Sequence, residues 1–203
     1  GQIDIFQKTG QRKLPVLFDN EKTIHNSSSI IRHLEKIDKE PKLIPDNPKE
    51  SSQAQIIENW ADTTLAKSIK IVFLEQIMKS PSLIHSLLPT NMSDSMQKFF
   101  NNIPLNIGSQ ISGIINKNEK EILKLNLDYL TNIVEKENFL VGKEVSIADI
   151  SVAAQLSLLS FPKSSGEDLT GKGCSIYIND PSLKNLFKWR DSIEDKLITT
   201  NHN

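Results

Sequence analysis

Three prolines within eight positions divide this chain of 203 residues into two parts with different sequence patterns. The segment Pro41-Lys42-Leu43-Ile44-Pro45-Asp46-Asn47-Pro48 continues neither a helix nor a sheet, because each proline lacks the N–H donor and fixes φ. This composition is typical of a stiff, extended linker. The sequence therefore predicts a first domain over residues 1–40, a linker over 41–48 and a second domain over 49–203.

The first domain has a mixed α/β pattern. Alternation of polar and apolar residues predicts a strand at Gln2–Phe6. The apolar, strand-forming run Leu14–Phe18 and the short segment Lys22–His25 predict two more. Apolar residues at helical spacing then predict a helix over Ser28–Ile37. The predicted order is strand, strand, strand, helix.

The second domain shows helical periodicity along most of its length. Apolar stripes predict long helices over Lys49–Lys79, Glu119–Lys136, Ile147–Phe161 and Ser182–Leu197. A shorter helix is predicted at Ser93–Phe100, and residues 162–181 are predicted to form a loop. Trp60 and Trp189 lie on the amphipathic helices, so we expect them in the core or at an interface rather than stacked on a ligand.

The balance of charges restricts the class of partner. Lys and Arg number 24 and Asp and Glu number 25, which gives a net charge of -1. A nucleic acid or an anionic membrane would favour a basic patch, so neither is expected as a partner. Cys174 is the only cysteine, which fits a reducing, cytoplasmic compartment. It lies in a polar loop, where we expect a free thiol without a role.

Pro15 interrupts the strand pattern Lys13-Leu14-Pro15-Val16-Leu17. A cis bond between Leu14 and Pro15 would bend the chain and leave the peptide groups of Leu14 open to a ligand. The hydroxyl and the free N–H groups of the helix start at Ser27 would lie nearby and suit a carboxylate. Two interpretations stay open: a dock for a small acidic peptide, or a trans Pro15 on an edge strand with Ser27 as a helix cap only.

A capping box begins the predicted buried helix at Val145-Ser146-Ile147-Ala148-Asp149-Ile150. Ser146 and Asp149 can satisfy each other's backbone N–H groups, and Val145 can pack on Ile150 as a hydrophobic staple. A catalytic Ser–Asp pair is the poorer interpretation, because no histidine lies nearby in the sequence.

The sequence disfavours two further kinds of site, a phosphate-binding loop and a metal site. The segment Gly166–Gly173 nearly matches a phosphate-binding loop, but Gly173 stands where a Ser or Thr would bind Mg²⁺, and a helix precedes it rather than a strand. We predict a flexible loop there. The four histidines lack metal-ligand spacing, so no metal site is predicted.

In order and spacing, these segments resemble the glutathione transferase family. Lys13–Leu17 looks like the strand that bears the family's cis-proline, and Asn26–Leu34 looks like its acidic-or-amide residue, serine and following helix. Leu43-Ile44-Pro45 resembles the interdomain linker, and Phe139–Asp149 resembles the capping box of the helical domain. The resemblance implies an α/β plus all-α fold: a partial thioredoxin-like domain followed by a glutathione transferase-type helical bundle.

The resemblance also implies glutathione as co-substrate, an apolar or electrophilic small molecule as second substrate, and a homodimer. Leu14 would pair its backbone with the cysteinyl part of glutathione beside Pro15, and Ser27 would hold the γ-glutamyl carboxylate. Asn26 stands where many members carry Glu or Asp. An amide can hydrogen-bond the γ-glutamyl ammonium but cannot offset its charge. Lys13 would reach the glycyl carboxylate.

The residue that activates the thiol in this family has no counterpart in the sequence. A strand and a helix that precede the equivalent of Gln2–Phe6 carry a Tyr, Ser or Cys that lowers the pKa of the thiol. We therefore assign no catalytic residue and expect this segment either to lie before Gly1 or to have been lost with the activity. The resemblance implies transfer of the glutathione thiol to an electrophile or a disulfide; a non-catalytic binding or assembly module and an isomerase are the alternatives.

Overall fold

A short β-hairpin and a helix form the described portion of the first domain. The computed structural model describes residues 15–38, 40–80, 83, 86, 87 and 107–200, with the backbone alone for 107–116 and 199–200. Strand β1 (Val16–Asp19) pairs antiparallel with β2 (Lys22–His25), and helix α1 (Ser27–Ile37) follows. The hairpin turn places Asn20 at φ 52, a left-handed conformation that asparagine tolerates. The predicted strand Gln2–Phe6 lies outside the described residues.

The predicted helix Lys49–Lys79 is present but contains a π-helical turn. Helix α2 (Pro48–Trp60) runs into the π turn (Ala61–Leu65), which continues directly as α3 (Ala66–Lys79). The N–H of Ala66 donates to the carbonyl of Ala61, five residues back, so the turn contains one residue more than an α-helical turn. Buried residues lie on both sides of this turn, Ala54 and Glu58 on α2 and Ile69 and Val72 on α3.

The remaining helices differ from the prediction mainly at their ends. Their bounds are α4 (Ile107–Val134), α5 (Ile147–Leu156), α6 (Ser175–Ile178) and α7 (Lys184–Thr200), with short 3-10 turns at Lys163–Ser165 and Pro181–Leu183. The buried helix was predicted to reach Phe161, but α5 ends at Leu156 because the chain then pairs with the loop that follows it. Ser160 forms a β-bridge with Gly173, and the N–H of Phe161 donates to the carbonyl of Lys172 at 2.8 Å. The predicted helix at Ser93–Phe100 lies outside the described residues.

Helix α5 is the centre of the helical domain. It packs against α2, the π turn and α7, while α4 packs against α3 and α7. Val152 and Leu156 of α5 are fully buried, and both predicted core tryptophans pack here, Trp189 buried and Trp60 half-buried. A helix that is apolar on nearly all sides is expected to be buried in this way.

The predicted capping box is present at the start of α5. The Asp149 carboxylate accepts from the N–H of Ser146 at 2.9 Å, from the Ser146 hydroxyl at 2.8 Å and from the N–H of Leu140 at 2.7 Å. Asp149 is fully buried, and this burial raises its pKa despite the three donors, which lower it. The box therefore fixes both the helix start and the preceding loop.

The prediction of a polar loop around Cys174 is wrong, because the loop folds back onto the core. The N–H of Cys174 donates to the carbonyl of Leu159 at 2.8 Å, and the residue is 1% exposed. Burial, with a smaller contribution from Glu75, raises the pKa of the thiol to about 12. The thiol is therefore protonated at neutral pH and unsuited to act as a nucleophile.

Candidate functional site

The start of α1 presents backbone donors beside a strained residue. Asn26, the N-cap, has φ 74 and ψ 133, a region that residues other than glycine rarely occupy. Its side-chain oxygen accepts from the N–H of Ser28 at 2.8 Å. Among the described residues, no acceptor is bonded to the N–H groups of Ser27 and Ser29. A helix start with free N–H groups favours an anion, and backbone strain of this kind is common at ligand sites.

The hairpin register places Pro15 beside the start of α1. Val16 is paired with His25, so Pro15 and Asn26 leave the two strands at the same end. Pro15 and Asn26 are exposed, and Ser27 is half-buried. The structure thus brings together three of the five predicted site residues. Lys13 and Leu14 lie outside the described residues, and so does the geometry of the Leu14–Pro15 bond.

A buried carboxylate from the helical domain meets this helix start. The Ser28 hydroxyl donates to the carboxylate of Glu58 on α2, and Arg32 lies 4.0 Å from the same carboxylate. Glu58 is only 4% exposed. Glu58 is not among the residues predicted from the sequence, although one signal was available: it lies on the same helix face as the buried Ala54, Ala61 and Leu65.

The linker is bonded to both domains. The Glu35 carboxylate of α1 accepts from the N–H groups of Leu43 at 2.6 Å and Ile44 at 2.8 Å. The carbonyl of Leu43 in turn accepts from the N–H of Ile147, the first residue of α5, at 2.9 Å. The helix start that carries the candidate site is therefore held against the helical domain by the linker as well as by Glu58.

Metal chemistry has no support in the described part of the chain. None of the His, Cys, Asp and Glu side chains there form a group of three that could hold a metal ion. His33 instead contacts Asp19 at the end of β1, with 2.7 Å between Nε2 and Oδ2, which joins α1 to the hairpin. What the site offers chemically is anion binding by backbone and hydroxyl donors. Across the same described ranges, no helix is long and apolar enough to cross a membrane.

Comparison with known proteins finds a family match in the first part of the chain. Residues 4–42 match the family described as glutathione S-transferase, N-terminal domain. The chain is also 21% identical over 138 residues to FtsZ-localized protein A of Caulobacter vibrioides. This match covers 68% of the chain and 50% of the relative, so the chain spans about half the length of that curated protein.

Solved structures of the same fold cover nearly the whole chain. The beta-etherase LigF from Sphingobium sp. strain SYK-6 superposes with a TM-score of 0.60 at 22% identity, covering 94% of this chain and 77% of that one. FzlA from C. crescentus gives 0.55 at 17% identity, covering 93% and 69%. Glutathione S-transferase 1-6 from Anopheles dirus species B gives 0.52 at 18% identity, covering 99% and 81%.

These likenesses confirm the predicted architecture, a partial thioredoxin-like domain followed by a helical domain. The domain bounds 1–40, 41–48 and 49–203 stay predictions. Residues 4–42 match the glutathione S-transferase N-terminal domain, and the fold is similar to that of a solved glutathione S-transferase.

Proposed function

We propose that the chain binds glutathione at the start of α1. The observation that carries this proposal is the pair of N–H groups at Ser27 and Ser29, which no acceptor among the described residues satisfies and which lie beside the strained Asn26. The γ-glutamyl carboxylate is the anion that such a helix start suits. The match of residues 4–42 to the glutathione S-transferase N-terminal domain supports glutathione as the molecule that carries it.

Each predicted site residue has a defined role in this proposal. Ser27 donates its hydroxyl and N–H to the γ-glutamyl carboxylate, Leu14 pairs its backbone with the cysteinyl part beside Pro15, and Lys13 binds the glycyl carboxylate. The Asn26 oxygen already accepts from Ser28, so the side chain mainly offers its NH₂ group, which is a donor. Asn26 therefore supports the carboxylate better than the ammonium.

The reaction we propose is transfer of the glutathione thiol to an apolar electrophile or to a disulfide, with no catalytic residue assigned in this chain. We further propose that the protein works as a cytoplasmic homodimer. Sedimentation velocity at several protein concentrations measures the oligomeric state; a single monomeric species throughout would remove the dimer from the proposal.

Replacing Ser27 with Ala tests the ligand site. We expect the change to weaken glutathione binding by about 1–3 kcal/mol, because one hydroxyl donor to a charged carboxylate is lost. Isothermal titration calorimetry on the full-length protein measures the affinity. Ser29→Ala is the matched control, since it removes the same hydroxyl from an exposed position two residues further along.

Two results would count against the proposal. No detectable heat of binding with glutathione at millimolar concentration would remove glutathione and the site residues together. An unchanged affinity in Ser27→Ala would leave Ser27 as a helix residue without a ligand role.

The sequence match to FtsZ-localized protein A favours a second candidate, a non-catalytic assembly module with the same fold. Such a module would associate with FtsZ or a comparable polymer rather than turn over a substrate. Co-sedimentation with polymerised FtsZ measures the association. Binding to the polymer without glutathione, together with no glutathione binding in calorimetry, would favour this candidate over the first.

A further inference from the structure

A cavity of about 380 Å³ lies between the linker, the first turn of α2 and the loop that precedes α5. Its lining comes from residues 42–47, from Glu50 and from residues 141–146, and we call it the linker cavity. None of the lining residues belongs to α1, so the linker cavity is separate from the proposed glutathione site. Its volume is at the lower end of small-molecule sites, which span roughly 300–1,000 Å³.

The carboxylate of Glu50 is left without a partner at the start of α2. Asn47 is the N-cap, and its side-chain oxygen accepts from the N–H groups of Lys49 at 2.9 Å and of Glu50 at 3.3 Å. A glutamate at the third helical position commonly accepts in return from the N–H of the N-cap residue, as Asp149 does in α5. The Glu50 side chain makes neither this bond nor an ion pair with any residue that the structure describes. It is therefore available to a ligand.

Gly142 leaves room for this carboxylate at the wall of the linker cavity. A Cβ added to Gly142 would lie 3.2 Å from Oε2 of Glu50 and 3.9 Å from Oε1. Glu50 is half-buried, so both oxygens lie close to the backbone of the loop. Gly142 also has φ 68, a conformation that glycine adopts without strain. The loop thus fixes where the negative charge of Glu50 stands.

The other charges of the lining offset one another. Lys42 forms an ion pair with Asp46 inside the linker. Lys143 and Glu144 are adjacent in the chain and both are exposed. Two lysines and three carboxylates line the cavity, so the charge of Glu50 is the one left over.

The rest of the cavity wall is mainly apolar. Val141 is 5% exposed, and Leu43, Pro45 and Val145 are half-buried. The Ser146 hydroxyl also belongs to the lining, but it already donates to the carboxylate of the capping box at 2.8 Å. An aliphatic ligand would remove the remaining surface of these apolar side chains from water.

We propose that the linker cavity binds a small organic amine in its protonated form. The ammonium donates to the Glu50 carboxylate, and the aliphatic body packs on Leu43, Pro45 and Val141. A carboxylate only accepts hydrogen bonds, and those from a charged donor are the strongest. An anion would face Glu50 and would find the N–H groups of Lys49 and Glu50 already bonded to the N-cap. This binding goes beyond the proposed use of glutathione.

Hexylammonium is the probe, because it joins one ammonium to an aliphatic chain. Hexanol and hexanoate are the matched control ligands, since they carry no charge and the opposite charge on the same chain. Titrations followed by amide NMR spectra measure affinity and location together. We expect hexylammonium to bind at least about fivefold more tightly than either control, as one ion pair allows. The amide shifts should occur at Leu43, Gly142 and Val145 rather than at Ser27.

Glu50→Gln tests the role of the carboxylate, because it keeps the size of the side chain and removes its charge. We expect the affinity for hexylammonium to fall at least about fivefold and the affinity for hexanol to stay unchanged. Glu137→Gln is the matched control variant: it removes the same charge from an exposed residue outside the cavity, and should bind hexylammonium as the unaltered protein does.

A lysine side chain of another protein carries the same ammonium on an aliphatic stem, so a second probe separates the two sources. Acetyl-lysine methylamide should bind more weakly than hexylammonium, because its two peptide groups would be desolvated against an apolar wall. Tighter binding of the lysine derivative would assign the cavity to a protein partner and overturn the proposal of a small amine.

Three further results would overturn the proposal. These are equal affinities for hexylammonium and hexanol, equal affinities of Glu50→Gln and Glu137→Gln with both variants folded by circular dichroism, and no shift of the lining amides at millimolar hexylammonium. Glutathione takes no part in these titrations. A failure to bind glutathione would therefore refute the proposed function and leave the linker cavity as it stands.

Discussion

At the scale of single residues, Gly173 shows how one position fixes the conformation of the loop that follows α5 in the chain. Its φ of 144 is disfavoured for any residue with a side chain, and an added Cβ would lie 2.4 Å from the carbonyl oxygen of Leu159. That oxygen accepts from the N–H of Cys174, so it belongs to the pairing that closes the loop. The loop was predicted to be flexible, yet its last residues are paired with the end of the α5 segment.

Gly173→Ala is therefore expected to destabilise the protein by at least about 2 kcal/mol, because backbone strain and a clash with a carbonyl act together. Urea unfolding monitored by tryptophan fluorescence measures the change. Gly166→Ala is the control: its φ is 86, but no atom lies within 4 Å of an added Cβ, so only the backbone cost remains. Equal losses in the free energy of unfolding of the two variants would show that the clash with Leu159 does not destabilise the protein.

Cys174 gives a prediction of reactivity with a defined pH dependence. Its folded-state pKa of about 12 lies above that of a free thiol, so the native thiol should react with Ellman's reagent at least about a hundredfold more slowly than the unfolded chain at pH 8. As pH rises, the thiol of the unfolded chain ionises before that of the folded protein, and this ionisation favours unfolding. The stability that Cys174 contributes is therefore complete below about pH 9 and is lost as pH rises toward about 12. Stopped-flow absorbance with and without urea measures the rates, and equal rates would contradict the burial.

At the scale of elements, the contact between Ser28 of α1 and Glu58 of α2 joins the two domains through a side chain that is 4% exposed. Ser28→Ala leaves that carboxylate without its hydroxyl donor, and we expect a loss of about 1–3 kcal/mol in the free energy of unfolding. A double-mutant cycle with Glu58→Gln measures the coupling between the pair. Additive effects within about 0.5 kcal/mol would show that the two side chains do not stabilise each other.

The elements that sequence analysis predicted are those with local signals. Helix α1 and the start of α5 follow from apolar spacing and from the Ser146–Asp149 box, which lie within one segment of the chain. The end of α5 at Leu156 depends on pairing with Gly173, and the role of Glu58 depends on Ser28, thirty residues away. Neither partner is visible in the local pattern. The same limit applies to the residues of the candidate site: Pro15 and Ser27 belong to adjacent elements, so their proximity could be predicted, whereas that of Glu58 could not.

At the scale of the whole molecule, a second apolar cluster joins the domains. Ala54 of α2 and Ile147 and Ala148 of α5 are buried together, with Ile31 of α1 and Leu43 of the linker packed against them. Apolar contacts shared in this way make the unfolding of two units cooperative.

We expect the amides of α1 to exchange with nearly the same free energy of opening as those of α5, because both helices lose this cluster together. Native-state hydrogen exchange measured by NMR tests the expectation. Ile31→Ala, which removes the contribution of α1, should lower the protection of α1 more than that of α5. Exchange of α1 at a much lower free energy than α5 in the unaltered protein would contradict the coupling.

The π turn also bears on how the chain tolerates changes of length. It contains one residue more than an α-helical turn, and both helices that flank it carry buried residues. Asp62, Thr63 and Thr64 are exposed there in succession. Deletion of one of the two threonines would convert the π turn to α-helix and leave the buried faces of α2 and α3 in their present orientation. A deletion elsewhere in α2 or α3 would rotate one of these faces by about 100°. An alignment gap of one residue among relatives therefore belongs between Ala61 and Leu65.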